Sequence, residues 1–284
     1  MDYDSVANPA IEAFLETHQC LTAMPENSIR ILKLLQNPNF NMRQLVKLIE
    51  QDAAIAARVI QTVNSAAYAR SHKITQLDRA TVYLGFNTVK EIVIATTVQS
   101  ICKPVVVGKY AMRDLWDHSL GVAVLCRELA AKSKTIDSGL GFLAGILHDV
   151  GLLLLTQSEP ETSAEVFVDA EDRKVPFRTV ERTYFGFDHC ELGSRLASAW
   201  NFPPEVTAAI AWHHAPEQAS DEFRPVCMCV IVADTLCAAA NVGFPLKTAL
   251  KKITDDILAE MQLTRDDIDE IMERFKVQLR LQQA

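Results

Sequence analysis

The residues best suited to chemistry are histidines and acids that lie from residue 114 onward. Five of the seven histidines lie there, at His118, His148, His189, His213 and His214. Imidazole nitrogens and carboxylate oxygens are donors that iron, manganese and zinc accept in proteins. The pattern therefore suggests a nitrogen- and oxygen-rich metal site.

Two acids strengthen this interpretation because their surroundings are apolar. Asp149 follows His148 within FLAGILHDVG, and Asp234 is the only acid in CVIVADTLC. A buried carboxylate is costly unless it is paired or bound to a cation, and the neighbouring sequence supplies no partner. We expect one or two divalent ions, iron or manganese first, with zinc, magnesium or nickel as alternatives.

Local spacing adds two further candidates. Asp114 and His118 are four residues apart, which places both on one face of a helix. A single acid at that spacing is common, so Asp114 is the least specific member of the set. Asp188 and Glu191 have the spacing of a capping box, which puts His189 in the first turn of a helix.

Cys190 directly follows His189 near this predicted helix start. Adjacent helical side chains point about 100° apart. We therefore interpret the Cys190 thiol as packing rather than as a nucleophile.

The elements that must position these side chains are helices. Helix starts are predicted at Pro25, Asn41 and a Thr75–Asp78 capping box, and stops at Asn37–Pro38 and Gly85. No strand pattern is present, so we predict an all-α protein. A composition break at 103–108 divides it into an N-terminal helical part, residues 1–108, and a larger bundle, residues 109–284.

A charged helix that starts at Thr264 and Asp267 ends the sequence. Its apolar residues recur at helical spacing, at Ile268, Ile271, Phe275 and Leu279. We expect this face to dock on the bundle or on a second copy of the chain, as in a homodimer.

Composition excludes several classes of function. The 284 residues carry a net charge of −8, which argues against nucleic acid or anionic membrane as the main partner. The longest apolar run, 142–155, is interrupted by His148 and Asp149, so we predict no membrane span. Acids among the first residues argue against a secretory signal, and we expect a cytoplasmic protein.

The order of these residues resembles the HD superfamily of metal-dependent phosphohydrolases. The N-terminal half is similar to the HDOD family, the HD-related output domain of bacterial signalling proteins. This similarity rests on QDAAIAARVIQTVNSAAYA and ITQLDRATVYLG and covers about residues 21–216. It implies an HD-type bundle with an N-terminal helical subdomain.

The resemblance also implies ligand roles. His118, His148, Asp149 and Asp234 would hold one ion. His189, His213 and His214 would hold a second, with Asp149 bridging. Asp114 matches an acidic ligand of the HD-GYP branch, which cleaves cyclic dinucleotides.

Two departures from active HD-GYP proteins bear on function. Leu152 stands where a phosphate-binding lysine is expected, and no glycine-rich GYP segment follows His214. We therefore favour a signal-transduction module that binds signalling or regulatory proteins or a phosphorylated small molecule. The alternative is a phosphohydrolase acting on a nucleotide or cyclic dinucleotide, with Asp149 and His148 catalytic.

Overall fold

The computed structural model describes residues 8–19, 26–36, 41–65, 73–101, 106–243 and 253–283. These residues are almost entirely helical, so the prediction of an all-α fold is confirmed. The helices are α1 (Pro9–Thr17), α2 (Glu26–Gln36), α3 (Met42–Glu50), α4 (Ala53–Val63), α5 (Leu77–Leu84), α6 (Phe86–Ile101), α7 (Met112–Ser133), α8 (Ser138–Leu147), α9 (Val150–Ser158), α10 (Pro160–Arg173), α11 (Phe177–Phe185), α12 (His189–Ala199), α13 (Pro204–Trp212), α14 (Arg224–Ala239), α15 (Asp255–Glu260) and α16 (Arg265–Gln283).

The chain forms two compact units. One comprises Ala23–Ile101, and the other comprises Met1–Thr22 together with Cys102–Ala284. The first described helix, α1, therefore belongs to the larger unit. The division predicted from the sequence placed all of residues 1–108 in the N-terminal part. The predicted domain division at residue 108 stays a prediction.

Helices α2 to α6 form the Ala23–Ile101 unit. Asn41 caps α3 as predicted, since its side chain accepts a hydrogen bond from the Arg43 backbone N–H. The Thr75–Asp78 capping box is wrong: Gln76 is the N-cap of α5 and makes no side-chain cap. Gly85 ends α5 with φ +76°, a conformation that favours glycine.

Three sequence features of this unit lie outside the described residues. They are Pro25, the Asn37–Pro38 stop and the Ala66–Tyr68 part of the family motif.

The larger unit is built on α7, α8 and α14, which pack side by side. Their contact is lined by small and branched apolar residues, among them Val122, Leu125, Ala144 and Val230. Because this core is apolar, it fixes the helices whose ends carry the candidate ligands.

The segment Ser138–Ser158 is long and apolar enough to cross a membrane by length and composition, although His148 and Asp149 interrupt it. Within the fold, 83% of its most apolar window is buried. Burial on all sides explains the composition of this segment without a membrane, since a core helix is apolar all round.

The break at residues 103–108 leads into a short ladder that the sequence pattern did not predict. Val106–Val107 pairs antiparallel with Tyr110–Ala111 across Gly108, whose φ is +58°. Two residues per strand are too few to show an alternating pattern, which is why it was missed.

Helix α1 docks on the bundle. The Asn8 Nδ2 donates to the Gly186 carbonyl at 3.2 Å, and Arg195 pairs with Glu12 at 2.8 Å. The Phe14 ring packs edge-on against Phe187, with centroids 5.6 Å apart. The start of the chain therefore supports the loop that precedes His189.

The C-terminal helix α16 docks on the bundle, one of its two predicted positions. Ile268, Ile271 and Phe275 are buried in the same core as α7. Asp267 and Thr264 form the predicted start, with Asp267 Oδ2 accepting from the Thr264 N–H at 2.8 Å.

Candidate metal centre

Six helices deliver the predicted ligands. His118 lies on α7, His148 and Asp149 form the break between α8 and α9, and His189 is the first residue of α12. His213 and His214 follow α13, and Asp234 lies on α14. The contacts below link these seven residues into one cluster, and their role as ligands stays a prediction.

Two sets of donor atoms can be distinguished. We call His118, His148 and Asp149, together with Asp234, the first donor group. The His118 Nε2 lies 3.0 Å from Asp234 Oδ1, and the His148 Nε2 lies 3.2 Å from Asp149 Oδ2. Donor atoms of His118, His148 and Asp149 lie within 4.8 Å of one another, a spacing that fits one ion.

The second donor group is His189, Cys190, His213 and His214, whose donor atoms also lie within 4.8 Å of one another. The Nε2 atoms of His189 and His214 are 3.2 Å apart. The Cys190 Sγ lies 4.0 Å from His213 Nδ1. The common 4.8 Å spacing includes the thiol in the donor set, whereas helical spacing had suggested packing alone.

Asp149 lies between the two groups. Its Oδ2 faces His148, while its Oδ1 lies 3.6 Å from His189 Nε2 and 3.5 Å from His213 Nε2. A carboxylate in this position can contact ions in both groups.

Backbone carbonyls orient two of the imidazoles. The Nδ1–H of His148 donates to the Gly145 carbonyl at 2.8 Å, and that of His213 donates to Ile210 at 2.9 Å. In a neutral ring this leaves the lone pair on Nε2, the arrangement found in metal-binding histidines.

Unsatisfied atoms show that the donor set fits a metal ion. Within the described residues, the buried Nε2 atoms of His148 and His213 have no hydrogen-bond partner. Buried polar atoms normally have a partner. A divalent ion held by these nitrogens and the nearby carboxylates would supply it.

Glu181 is a functional candidate that the sequence analysis missed. Its Oε2 lies 2.6 Å from His189 Nδ1, and the side chain is 1% exposed. A carboxylate behind a ligating imidazole fixes its tautomer and raises its basicity. Glu181 lies on the amphipathic helix α11 among charged residues, so only its burial in the fold distinguishes it.

The charges of the cluster perturb its titration. Burial would raise the pKa of Asp149, but His148, His213 and His189 hold it well below its ordinary value. Burial also opposes ionisation of Asp234, whose pKa is nevertheless lowered by His118. Both acids are therefore anionic at neutral pH.

Two other members of the cluster, His214 and Cys190, have lowered pKa values. Burial and the neighbouring His213 and His189 hold the pKa of His214 well below its ordinary value. Burial would raise the pKa of Cys190, but His189 and His213 lower it. Both changes make a lone pair available to a metal ion.

A buried acid fixes the start of α12. Asp188 is fully buried and forms the predicted capping box with Glu191. Its Oδ2 accepts from Arg178 at 2.7 Å and pairs with Arg182 at 2.8 Å. These contacts hold the first turn, and with it His189, in place.

Close backbone packing brings Asp149 to His189. A Cβ at Gly151 would overlap the His189 carbonyl oxygen and lie 2.7 Å from the Gly193 nitrogen. Helices α9 and α12 can approach this closely only because glycine stands at residue 151.

Asp114 and Leu152, the other two residues that the sequence analysis singled out, have contacts outside the two donor groups. The Asp114 carboxylate accepts from the Ala111 backbone N–H at 3.1 Å and so caps α7; its role as a ligand stays a prediction. Leu152 is 5% exposed in an apolar cluster with Leu115 and Phe167.

Comparison with known proteins gives the family. The HDOD domain matches residues 21–216. An HDOD domain protein of unknown function from Geobacter sulfurreducens is 25% identical with a TM-score of 0.75, covering 94% of this chain and 87% of its own. A candidate signal transduction protein from Marinobacter aquaeolei VT8 is also 25% identical, with a TM-score of 0.77, covering 95% and 61%.

An uncharacterised protein of Treponema pallidum (strain Nichols) is 23% identical over 214 residues, which is 74% of this chain. The chain spans about two fifths, 41%, of the length of that relative. The domain match, which covers more than half of the chain, and the shared fold confirm the expected resemblance: this chain belongs to the HDOD family.

Proposed function

We propose that this chain is a bacterial, cytoplasmic signal-transduction module whose helical bundle binds divalent metal ions. The observation that carries the proposal is the buried cluster of imidazole nitrogens that face Asp149 and have no hydrogen-bond partner. The proposed role in signal transduction is supported by the similar Marinobacter protein, which is described as a signal transduction protein.

Two ions fit the donor groups. His118, His148, Asp149 and Asp234 would hold one, and His189, His213 and His214 would hold the other, with Asp149 between them. Iron or manganese is the expected metal. When bound, such ions supply Lewis-acid polarisation and neutralise negative charge on a phosphoryl group.

The surroundings of His148 and Asp149 favour regulation over hydrolysis. Leu152, where a phosphate-binding lysine would lie, points into an apolar cluster and offers no charge. Signalling or regulatory proteins, or a phosphorylated small molecule, are therefore the proposed partners. The net charge of −8 argues against nucleic acid.

Elemental analysis tests the metal. Protein purified without chelator or metal-affinity resin should carry about two equivalents, and Asp149→Ala should carry less, because the carboxylate facing both groups is gone. A wild-type protein that stays metal-free after incubation with iron, manganese and zinc would refute the metal site.

Cross-linking in the native host tests the signalling role. Signalling or regulatory proteins should be captured by the wild type and reduced with the metal-deficient Asp149→Ala protein. Recovery of no such protein would contradict the regulatory proposal.

A phosphohydrolase is the second candidate, favoured by the position of Asp149 between the two groups. In that reaction Asp149 would orient the attacking water, and His148, held by Gly145, would keep its Nε2 directed at the centre. Metal-loaded protein should then hydrolyse members of a phosphodiester panel, and Asp149→Ala should abolish turnover. Absence of turnover with two ions bound would refute this candidate.

A further inference from the structure

The second donor group contains a sulfur atom whose position is defined by two helices. Cys190 lies in the first turn of α12 and is fully buried. The end of α13 brings His213 alongside, with 4.0 Å between Sγ and Nδ1, and one donor atom from each of the four residues lies within 4.8 Å of the others. The thiol is thus held against the imidazoles by a second helix, which compensates for the divergence of adjacent side chains on α12.

Distances within the group fit shared coordination. Two nitrogens on one tetrahedral zinc ion, each about 2.0–2.1 Å from the metal, lie roughly 3.3 Å apart. The Nε2 atoms of His189 and His214 are 3.2 Å apart. Glu181 occupies the other nitrogen of His189, so Nε2 is the atom left for an ion.

Four protein donors are enough for a tetrahedral shell. Structural zinc sites are closed by four Cys and His ligands, whereas catalytic sites keep a position for water. Thiolate also selects zinc and iron over magnesium and manganese. By contrast, the first donor group contains only nitrogen and oxygen donors.

We propose that Cys190 ligates the ion of the second donor group together with His189, His213 and His214. This ion is then a buried structural ion of zinc or ferrous iron, and any exchangeable ligand binds at the first donor group. The inference rests on the proposed function, because it assumes that the bundle binds metal.

Cobalt substitution tests the sulfur ligand directly. Metal-free protein is titrated anaerobically with cobalt(II), and the spectrum is recorded with the bound cobalt measured by elemental analysis. Cobalt–thiolate coordination gives a sulfur-to-metal charge-transfer band in the near ultraviolet. The wild type should show this band, and Cys190→Ser, which replaces sulfur by oxygen, should lose it.

Cys227→Ser is the matched control. Cys227 is also fully buried, but its thiol contacts the Ala208 carbonyl and belongs to neither donor group. This variant should keep the band. X-ray absorption of the zinc-loaded wild type needs no variant and should show a sulfur neighbour, on average one for every two zinc ions when both groups are filled.

The outcomes separate this inference from the proposed function. Cobalt bound without the band, a band that survives Cys190→Ser, or zinc without a sulfur neighbour overturns the role of Cys190 and leaves the metal site intact. Protein that binds no cobalt, zinc or iron overturns both.

Discussion

At the scale of single residues, the tautomer of each imidazole decides whether the cluster can bind a metal. His148 and His213 each give their Nδ1 proton to a carbonyl three residues earlier. His189 instead faces the buried Glu181. The first two contacts are local in sequence, whereas the third depends on a separate helix.

Glu181→Gln should weaken metal binding by about 10- to 100-fold, the usual effect of losing a carboxylate behind a ligating histidine. The amide still reaches His189 but carries no charge. Affinity is measured by competition with a chromophoric chelator.

Glu165→Gln is the control, because Glu165 is an exposed acid on α10. It should leave the affinity unchanged. Equal affinities for Glu181→Gln and the wild type would show that Glu181 does not support His189.

At the scale of the elements, the break between α8 and α9 matters because it turns two side chains into the cluster. The contact between Gly151 and Gly193 then sets the distance from α9 to α12. Overpacking at such a contact typically costs about 1–3 kcal/mol.

Gly151→Ala should therefore lower the free energy of unfolding by about 1–3 kcal/mol and weaken metal binding, because the methyl group pushes α12 away from Asp149. Denaturant unfolding and metal titration measure the two effects.

Gly85→Ala is the control that separates a loss of stability from a loss of metal affinity. It strains the backbone at φ +76° in the other compact unit, so it should destabilise the protein without changing metal affinity. Unchanged affinity in Gly151→Ala would mean that the glycine contact does not position the ligands.

The start of α16 gives a pH-dependent prediction. Hydrogen bonds from Thr264 and the nearby Lys132 lower the pKa of Asp267 from 3.8 to about 2. A lowered pKa gives stability that is present above pH 3.8 and is lost as the pH falls through about 2. Asp267→Asn should thus lower the melting temperature above pH 4, and the difference should shrink as the pH falls toward 2.

Melting temperatures from pH 2 to pH 6 test this, with Asp266→Asn as the control, since Asp266 is exposed on the same turn. The control should follow the wild-type curve. A difference for Asp267→Asn that is as large at pH 2 as at pH 6 would contradict the assignment.

At the scale of the whole molecule, the candidate metal centre joins six helices of one compact unit. Binding to the folded state alone adds about 2.7 kcal/mol at a metal concentration 100 times Kd. For a unit of this size, that corresponds to roughly 5–11 °C in melting temperature.

Chelator treatment should lower the melting temperature of the wild type by about that amount, and added metal should restore it. His148→Ala, which lacks one ligand, should show a much smaller response in the same scanning experiment. A wild-type melting temperature unaffected by chelator and metal would argue against ions that join the helices.

Most of the helices and the candidate donor set could be predicted from the sequence because their signals are local. The Asp188–Glu191 capping box and the apolar face of α16 are examples. The roles of Glu181 and Cys190 could not be predicted, because each depends on a neighbour that is distant in sequence. Glu181 contacts His189, 8 residues away, and Cys190 contacts His213, 23 residues away. The clash that requires glycine at residue 151 likewise exists only once α9 meets α12.

The docking of α1 has a consequence for synthesis on the ribosome. Glu12 and its partner Arg195 are 183 residues apart. At about 5–20 residues per second, translation separates their appearance by roughly 10 to 40 seconds. Helix α1 must therefore wait, with Phe14 uncovered, until its binding surface emerges, and a chaperone that shields an apolar nascent segment has its best opportunity in that interval.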